Sequence, residues 1–296
     1  QHHVHHILLR KGLSQSQSVL VLYGGAGVLA ALREKLGIDK PLLAQYFDFI
    51  TAALTGDLGR SLHTRDPVLH LIMQRVPATL QLGLCATLVG LLLGIPVAIA
   101  SAIWPGSWLD RALSGWSALA LGVPTFWLGI LLILLFSVEL RWLPSASAYV
   151  PFHESPWQAL RNTLMPALTL GTYVSGIFAR FLRASLLGEL KADYVRTAKA
   201  KGVPRNDVVV RHVFRNSLLP LITMFVGIFP AMLAGSVVIE RIFSVPGMGS
   251  LILDAIAQRD RELILANTFM IACVNLTALL LADILYAVAD PRVSYE

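Results

Sequence analysis

An all-α bundle embedded in lipid is the fold class this sequence predicts, and three observations predict it. Hydrophobic residues make up 55% of the chain against 14% charged, with a mean hydropathy of +0.66. A chain with so few charges cannot hide its apolar surface in one water-soluble core. The apolar residues fall in five runs without a charge: Leu82 to Ile103, Ala112 to Val138, Leu164 to Ala179, Leu218 to Ile239 and Leu263 to Ala282. The remaining charge is concentrated. Nine Lys or Arg against three acids lie between Arg180 and Arg215, which equals the +6 of the whole chain. Basic loops beside membrane spans belong on the cytoplasmic side.

Residues 1 to 33 open with His2, His3, His5 and His6, but no carboxylate or cysteine joins them to make a metal site. Val19 to Leu32 is an apolar run too short for a comfortable span and suits an interfacial or buried helix. Pro67 to Arg75 is a short amphipathic piece. Leu82 to Ile103 follows; its 22 residues, at ~1.5 Å each, reach about the ~30 Å of a hydrocarbon core. Trp104 and Trp108 mark a turn at interfacial depth. Ala112 to Val138 holds 27 residues, long enough to tilt or bend, and Pro124 removes a backbone donor inside it. Leu164 to Ala179 is the most polar run, with Thr169, Thr172, Tyr173 and Ser175; such a face packs on protein or lines water. Arg180 and Arg183 follow at its end, placed to snorkel. Leu218 to Ile239 closes on Glu240 and Arg241, and Leu251 to Arg261 has the pattern of an amphipathic helix. Cys85 and Cys273 both lie within apolar runs and read as small buried hydrophobes.

Leu190 to Pro220 is polar and basic between two apolar runs. Ala192 to Lys201 can wind as one helix. Gly202 is a helix stop, because glycine takes the left-handed conformation without penalty. Pro204 stands where a second helix begins. That second helix carries Val208, Val209, Val210, Val213 and Phe214 among Asp207, Arg211, His212 and Arg215.

Asp193-Tyr194-Val195-Arg196-Thr197-Ala198-Lys199-Ala200-Lys201-Gly202, then Arg211-His212 and Arg215 to Pro220, resembles the cytoplasmic signature loop of ABC-importer permeases. More narrowly, it is similar to the peptide/nickel branch of the binding-protein-dependent permeases. Arg196-Thr197-Ala198 stands where the general family has Glu-Ala-Ala, a departure usual for that branch. Gly56 to Ser61, Arg75 to Leu82, and Phe243 to Gly249 with Gln258-Arg259-Asp260 resemble further branch motifs. In the family a complete transmembrane helix precedes the first of these. The five apolar runs read as five clear transmembrane helices, and the resemblance, which implies six, adds a missing or degenerate first one. Residues 1–33 become an irregular remnant or misread first-span region, and 34–296 one permease domain.

The resemblance also implies a mechanism. The loop would be a coupling helix seated in a groove of a separate ATP-hydrolysing subunit, with Asp193, Tyr194, Arg196, Ala198, Lys199, Gly202, Pro204, Arg211 and Arg215 as its residues. The expected partners are a second permease as a heterodimer, two ATP-binding subunits, a substrate-binding protein and the lipid bilayer of a bacterial inner membrane. The cargo would be di- or oligopeptides, with nickel or another small solute, or a decayed non-transporting subunit, as alternatives. No enzyme chemistry, cofactor or metal is expected. The sequence has no Walker phosphate loop and no Gly-x-Ser-x-Gly elbow, and His153-Glu154 lacks the second histidine of a zinc protease. Basic residues beside spans, without an interleaved aromatic face, do not point to nucleic acid.

Overall fold

The computed structural model describes residues 23–24, 26–27, 40–146, 149–214, 216–217 and 236–289. Most of segment 1–33, the predicted span Leu218 to Ile239 up to residue 235, Arg215, Pro220 and the tail from Asp290 lie outside the described residues.

The chain divides into two units, Gln1–Leu58 and Gly59–Glu296. The first contains α1 (Leu42–Leu54). Lys40, just ahead of it, pairs with Asp48 in its second turn. Its end wraps back, with Asp57 N–H donating to the Ala52 carbonyl at 2.9 Å. Leu42, Leu43, Phe47 and Leu54 are exposed.

The second unit starts with α2 (Val68–Met73) and α3 (Val76–Ile103). α4 (Trp108–Gly122) and α5 (Thr125–Leu132) follow, α5 running on as a π-helical segment, Ile133–Glu139. α6 (Pro156–Glu189) is the longest element. Then come α7 (Asp193–Ala200) and α8 (Arg205–Asp207), the latter continued by a π-helical segment, Val208–Val213. α9 (236–242), α10 (Met248–Gln258) and α11 (Arg261–Ala289) complete it. Among the described residues there is no strand, only an isolated bridge between Arg60 and Pro67.

Among the described residues, two stretches are long and apolar enough to cross a membrane: Val68–Ile103, 36 residues, and Arg261–Leu281, 21 residues, whose most apolar windows have mean hydropathies of 2.4 and 2.0. They carry the predicted runs from Leu82 and Leu263. The run from Ala112 becomes a bent pair. Proline disfavours helical backbone in the residue before it, and Val123 is extended (φ −78°, ψ 123°). Trp108–Gly122 and Thr125–Glu139 therefore meet at 98°. The run Leu164 to Ala179 lies within α6, whose polar content keeps it outside that apolar class. That polar run is packed in part: Thr169 and Ser175 are fully buried, their hydroxyls bonded back to the Met165 and Thr172 carbonyls, while Tyr173 is exposed.

α3 and α6 form the centre of the bundle. They run parallel, since Gln81 meets Thr163 while Gly90 and Gly94 meet Val174 and Phe178. Small residues let the two backbones approach, as membrane helix pairs require. A Cβ on Gly94 would lie 2.9 Å from the Ser175 carbonyl, and one on Gly171 2.6 Å from Val89. Leu84, Leu88 and Leu92 recur every four residues and are exposed. Such a stripe needs a lipid or protein cover.

The two ends of the bundle follow from this register. α6 has 34 residues, so at ~1.5 Å each it is about 50 Å long. It outreaches a ~30 Å hydrocarbon core, and its last turns project beyond. There Arg183 does not snorkel to water as the sequence suggested. Its guanidinium grips Asp110 with two bonds, Nε to Oδ1 at 2.9 Å and a terminal nitrogen to Oδ2 at 2.8 Å. Asp110 is held in place at the start of α4, where Ser107 caps its N–H and Gly106 N–H donates to its carboxylate. The α3–α4 turn is thus fastened to α6 a few residues before α7 begins.

Candidate functional site: a basic helical hairpin at the end of α6

α7 starts with Asp193 in its first turn and carries Lys199 in its last, both favourable to the helix dipole. Val195 is fully buried. It joins Leu182 and Leu186 of α6 and Val208 and Val213 in one apolar cluster. The π winding of Val208–Val213 suits this, because residues five apart then stack and Val208 and Val213 bury together. The hairpin is therefore seated on α6 by valine and leucine side chains, while its charges stay outside.

The corner is made by backbone. Gly202 has φ +79°, a left-handed conformation that side chains resist. Its N–H donates to the Lys199 carbonyl at 2.9 Å, and Val203 N–H to the Ala198 carbonyl at 3.2 Å. Pro204 precedes α8, and its carbonyl accepts the Val208 N–H. A Cβ at Gly202 would meet nothing within 4 Å, so the requirement for glycine is conformational and not steric.

Of the predicted residues, Asp193, Tyr194, Arg196, Lys199, Gly202, Pro204 and Arg211 are exposed on this hairpin. Arg196 lies 3.5 Å from Asp193, and Arg211 lies 3.8 Å from Asp207. Ala198 is half-buried and packs inward on the apolar cluster. Tyr194 donates its hydroxyl to Glu189 at the end of α6, at 2.8 Å. Partial burial, and then that bond, raise the Tyr194 phenol above its ordinary value, so it stays a donor. Arg215 lies outside the described residues.

Sequence reasoning missed what the opposite end contains. Glu240, read as closing a span, is fully buried in α9. Its carboxylate accepts from the Thr79 hydroxyl at 2.8 Å, the Ser236 hydroxyl at 3.1 Å and the Ser250 N–H at 2.9 Å, and from the Gly249 N–H. Asp260, between α10 and α11, is also buried and accepts from the Ser61 hydroxyl and the Leu263 N–H. Burial pushes its carboxyl up, but bonds from Ser61, Leu62, Leu263 and His63 outweigh that and hold it below the usual carboxylate range. For Glu240 a signal was available, since Ser236, Gly247, Gly249 and Ser250 stand close to it in sequence; for Asp260 there was none, because Ser61 lies far away in the chain. Among the described residues, no group of three or more His, Cys, Asp or Glu could hold a metal ion.

A helical bundle with membrane-length apolar helices and a basic helical hairpin fixed to one end is the architecture of an integral membrane protein. Residues 90–295 match the family described as binding-protein-dependent transport system inner membrane component. The chain is 38% identical over 291 residues to a putative peptide transport system permease protein of Brucella abortus, covering 98% of this chain and 92% of that one. It is 39% identical over 271 residues to the glutathione transport system permease protein GsiC of Pectobacterium atrosepticum, covering 92% and 86%. In fold it is similar to a chain of the inward-facing MetNI methionine ABC transporter, with TM-score 0.62 and 14% identity, over 74% of this chain and 96% of that one. The chain belongs to the family of binding-protein-dependent inner membrane transport components.

Proposed function

We propose that this chain is the permease subunit of an ATP-driven importer of peptides. Peptide and glutathione transport are the functions in the names of its relatives. The observation that carries the mechanism is the α7–α8 hairpin: cationic and exposed outward, apolar and buried inward, and continuous with α6. A partner pressing on it would push a rod that runs along α3 through the bundle. In this reading the hairpin is cytoplasmic, as its charge demands. It docks on one of two ATP-binding subunits, which hydrolyse ATP in place of this chain. A second permease completes the pathway. A binding protein delivers cargo at the other end, where α10 and the Ser61–Asp260 contact lie. The chain sits in a bacterial inner membrane as one permease domain over residues 34–296.

The test is co-purification of the complex and ATPase assay with its binding protein and di- and oligopeptides, with Ni²⁺ as the competing cargo. Peptide-stimulated hydrolysis supports the reading, and stimulation by Ni²⁺ alone replaces the cargo. Gly202→Val, which resists the left-handed backbone of the corner, should abolish uptake while the chain still inserts. Normal uptake by that variant would remove the hairpin from the mechanism.

A further inference from the structure

Glu240 is a carboxylate buried at 0% exposure with no ion pair among the described residues. The neighbouring Arg241 turns away to Asp254, at 2.9 Å. A buried acid with no cation normally carries a heavy desolvation penalty. Here neutral donors replace water, and their arrangement is specific. α10 begins at Met248 after Gly247, which has no side chain to cap it. The first N–H groups of a helix need an acceptor from elsewhere. Glu240 provides one from a different helix, accepting from Gly249 and Ser250, the second and third residues of α10. Negative charge at a helix start is also favoured by the dipole.

The third element is α3. The Thr79 hydroxyl donates to Glu240 and at the same time accepts the Met248 N–H at 2.8 Å. Asn267 of α11 donates to the Met248 carbonyl at 2.9 Å. Three helices, α9, α3 and α11, therefore converge on the first turn of α10. The glycines of the Val-Pro-Gly-Met-Gly stretch make room for the carboxylate. A Cβ on Gly247 would run into it, and one on Gly249 would lie 2.9 Å from Oε2. Charge, glycines and hydroxyls thus act together as one seat.

We propose that Glu240 is a positioning residue that seats α10 on the start of α3, and that this seat sets how the transporter responds to delivered substrate. The second half rests on the permease reading above; the first half does not. The seat lies at the end of α3 and α6 away from the basic hairpin, so it is separate from the surface offered to the motor.

The test has two arms, run in a background with Cys85 and Cys273 replaced by alanine. In the first, Ala255→Cys places a thiol on the fully buried face of α10, and maleimide labelling is timed in the purified complex. Glu240→Gln should speed labelling by at least about tenfold, because a local contact then opens; unchanged labelling overturns the seat. Gln keeps the shape but turns a donor toward the N–H groups. If Glu240→Gln does not reach the membrane, Thr79→Val replaces it, with Thr79→Ser expected to label like the parent. In the second arm, basal and binding-protein-stimulated ATPase are compared in reconstituted complex. Glu240→Gln and Thr79→Val should keep basal activity and lose stimulation, and Thr79→Ser should retain both. Equal loss of both activities, or normal stimulation, overturns the role in response. Absence of any stimulation in the parent complex contradicts the permease reading itself and leaves the labelling result to judge the seat.

Discussion

The two ends of the bundle handle charge in opposite ways. Among the described residues of α7, α8 and the π-helical segment, Asp193, Arg196, Lys199 and Arg211 are exposed, and Val195, Val208, Val209 and Val213 are buried beneath them. At the other end Glu240 and Asp260 are buried and each is surrounded by neutral donors. Exposed ion pairs contribute little to stability, so the hairpin's charges are free to serve a partner. Buried acids with full hydrogen bonding organise backbone. One end presents a surface, and the other fixes helices.

The largest effect should come from the hairpin corner. Gly202→Val forces a β-branched residue to φ +79°, and uptake should fall by at least about tenfold with normal membrane levels. Gly202→Asn, which tolerates that conformation, should fall far less. An equal loss in both would mean the corner matters for its chemistry and not its shape. Next is the clamp that fastens the α3–α4 turn to the hairpin end of α6. Asp110→Ala leaves the half-buried Arg183 without its two bonds, and should cost about 3 kcal/mol, read as thermal unfolding in detergent. The charge exchange Asp110→Arg with Arg183→Asp should recover part of it.

The seam should follow. Gly94→Leu places a side chain where a Cβ already meets Ser175 and Phe178, and should cost about 1–3 kcal/mol on the same assay. Ser61→Ala should cost about 1 kcal/mol, and with a particular pH dependence. The Asp260 carboxyl is lowered by its donors in the folded state. Its contribution is therefore complete above the unfolded value of about 4 and is lost as pH falls through the lowered folded value. Ser61→Ala should narrow that acid-side loss. Arg196→Ala, exposed on α7, should move stability by less than about 0.5 kcal/mol while still weakening motor binding.

Much of this was legible in the chain. Long uncharged runs gave α3 and α11, Pro124 gave the bend, and Gly202 with Pro204 gave the hairpin corner, because each is a local or periodic signal. What the chain hid was tertiary. Arg183 looked like a residue reaching for water, since its partner Asp110 lies far away in sequence. Ala198 could be placed on the hairpin, but not on its inward face. Glu240 looked like a span terminus, because α3, α9 and α10 must come together before a carboxylate can replace a missing cap.

The most direct test is a single cysteine in place of Tyr194, in a chain without Cys85 and Cys273. It should be blocked by an impermeant thiol reagent only from the cytoplasmic side, and a short bifunctional reagent should join it to the ATP-binding subunit. Blocking from outside intact cells, or no cross-link to any ATP-binding partner, would contradict the proposed role of the hairpin.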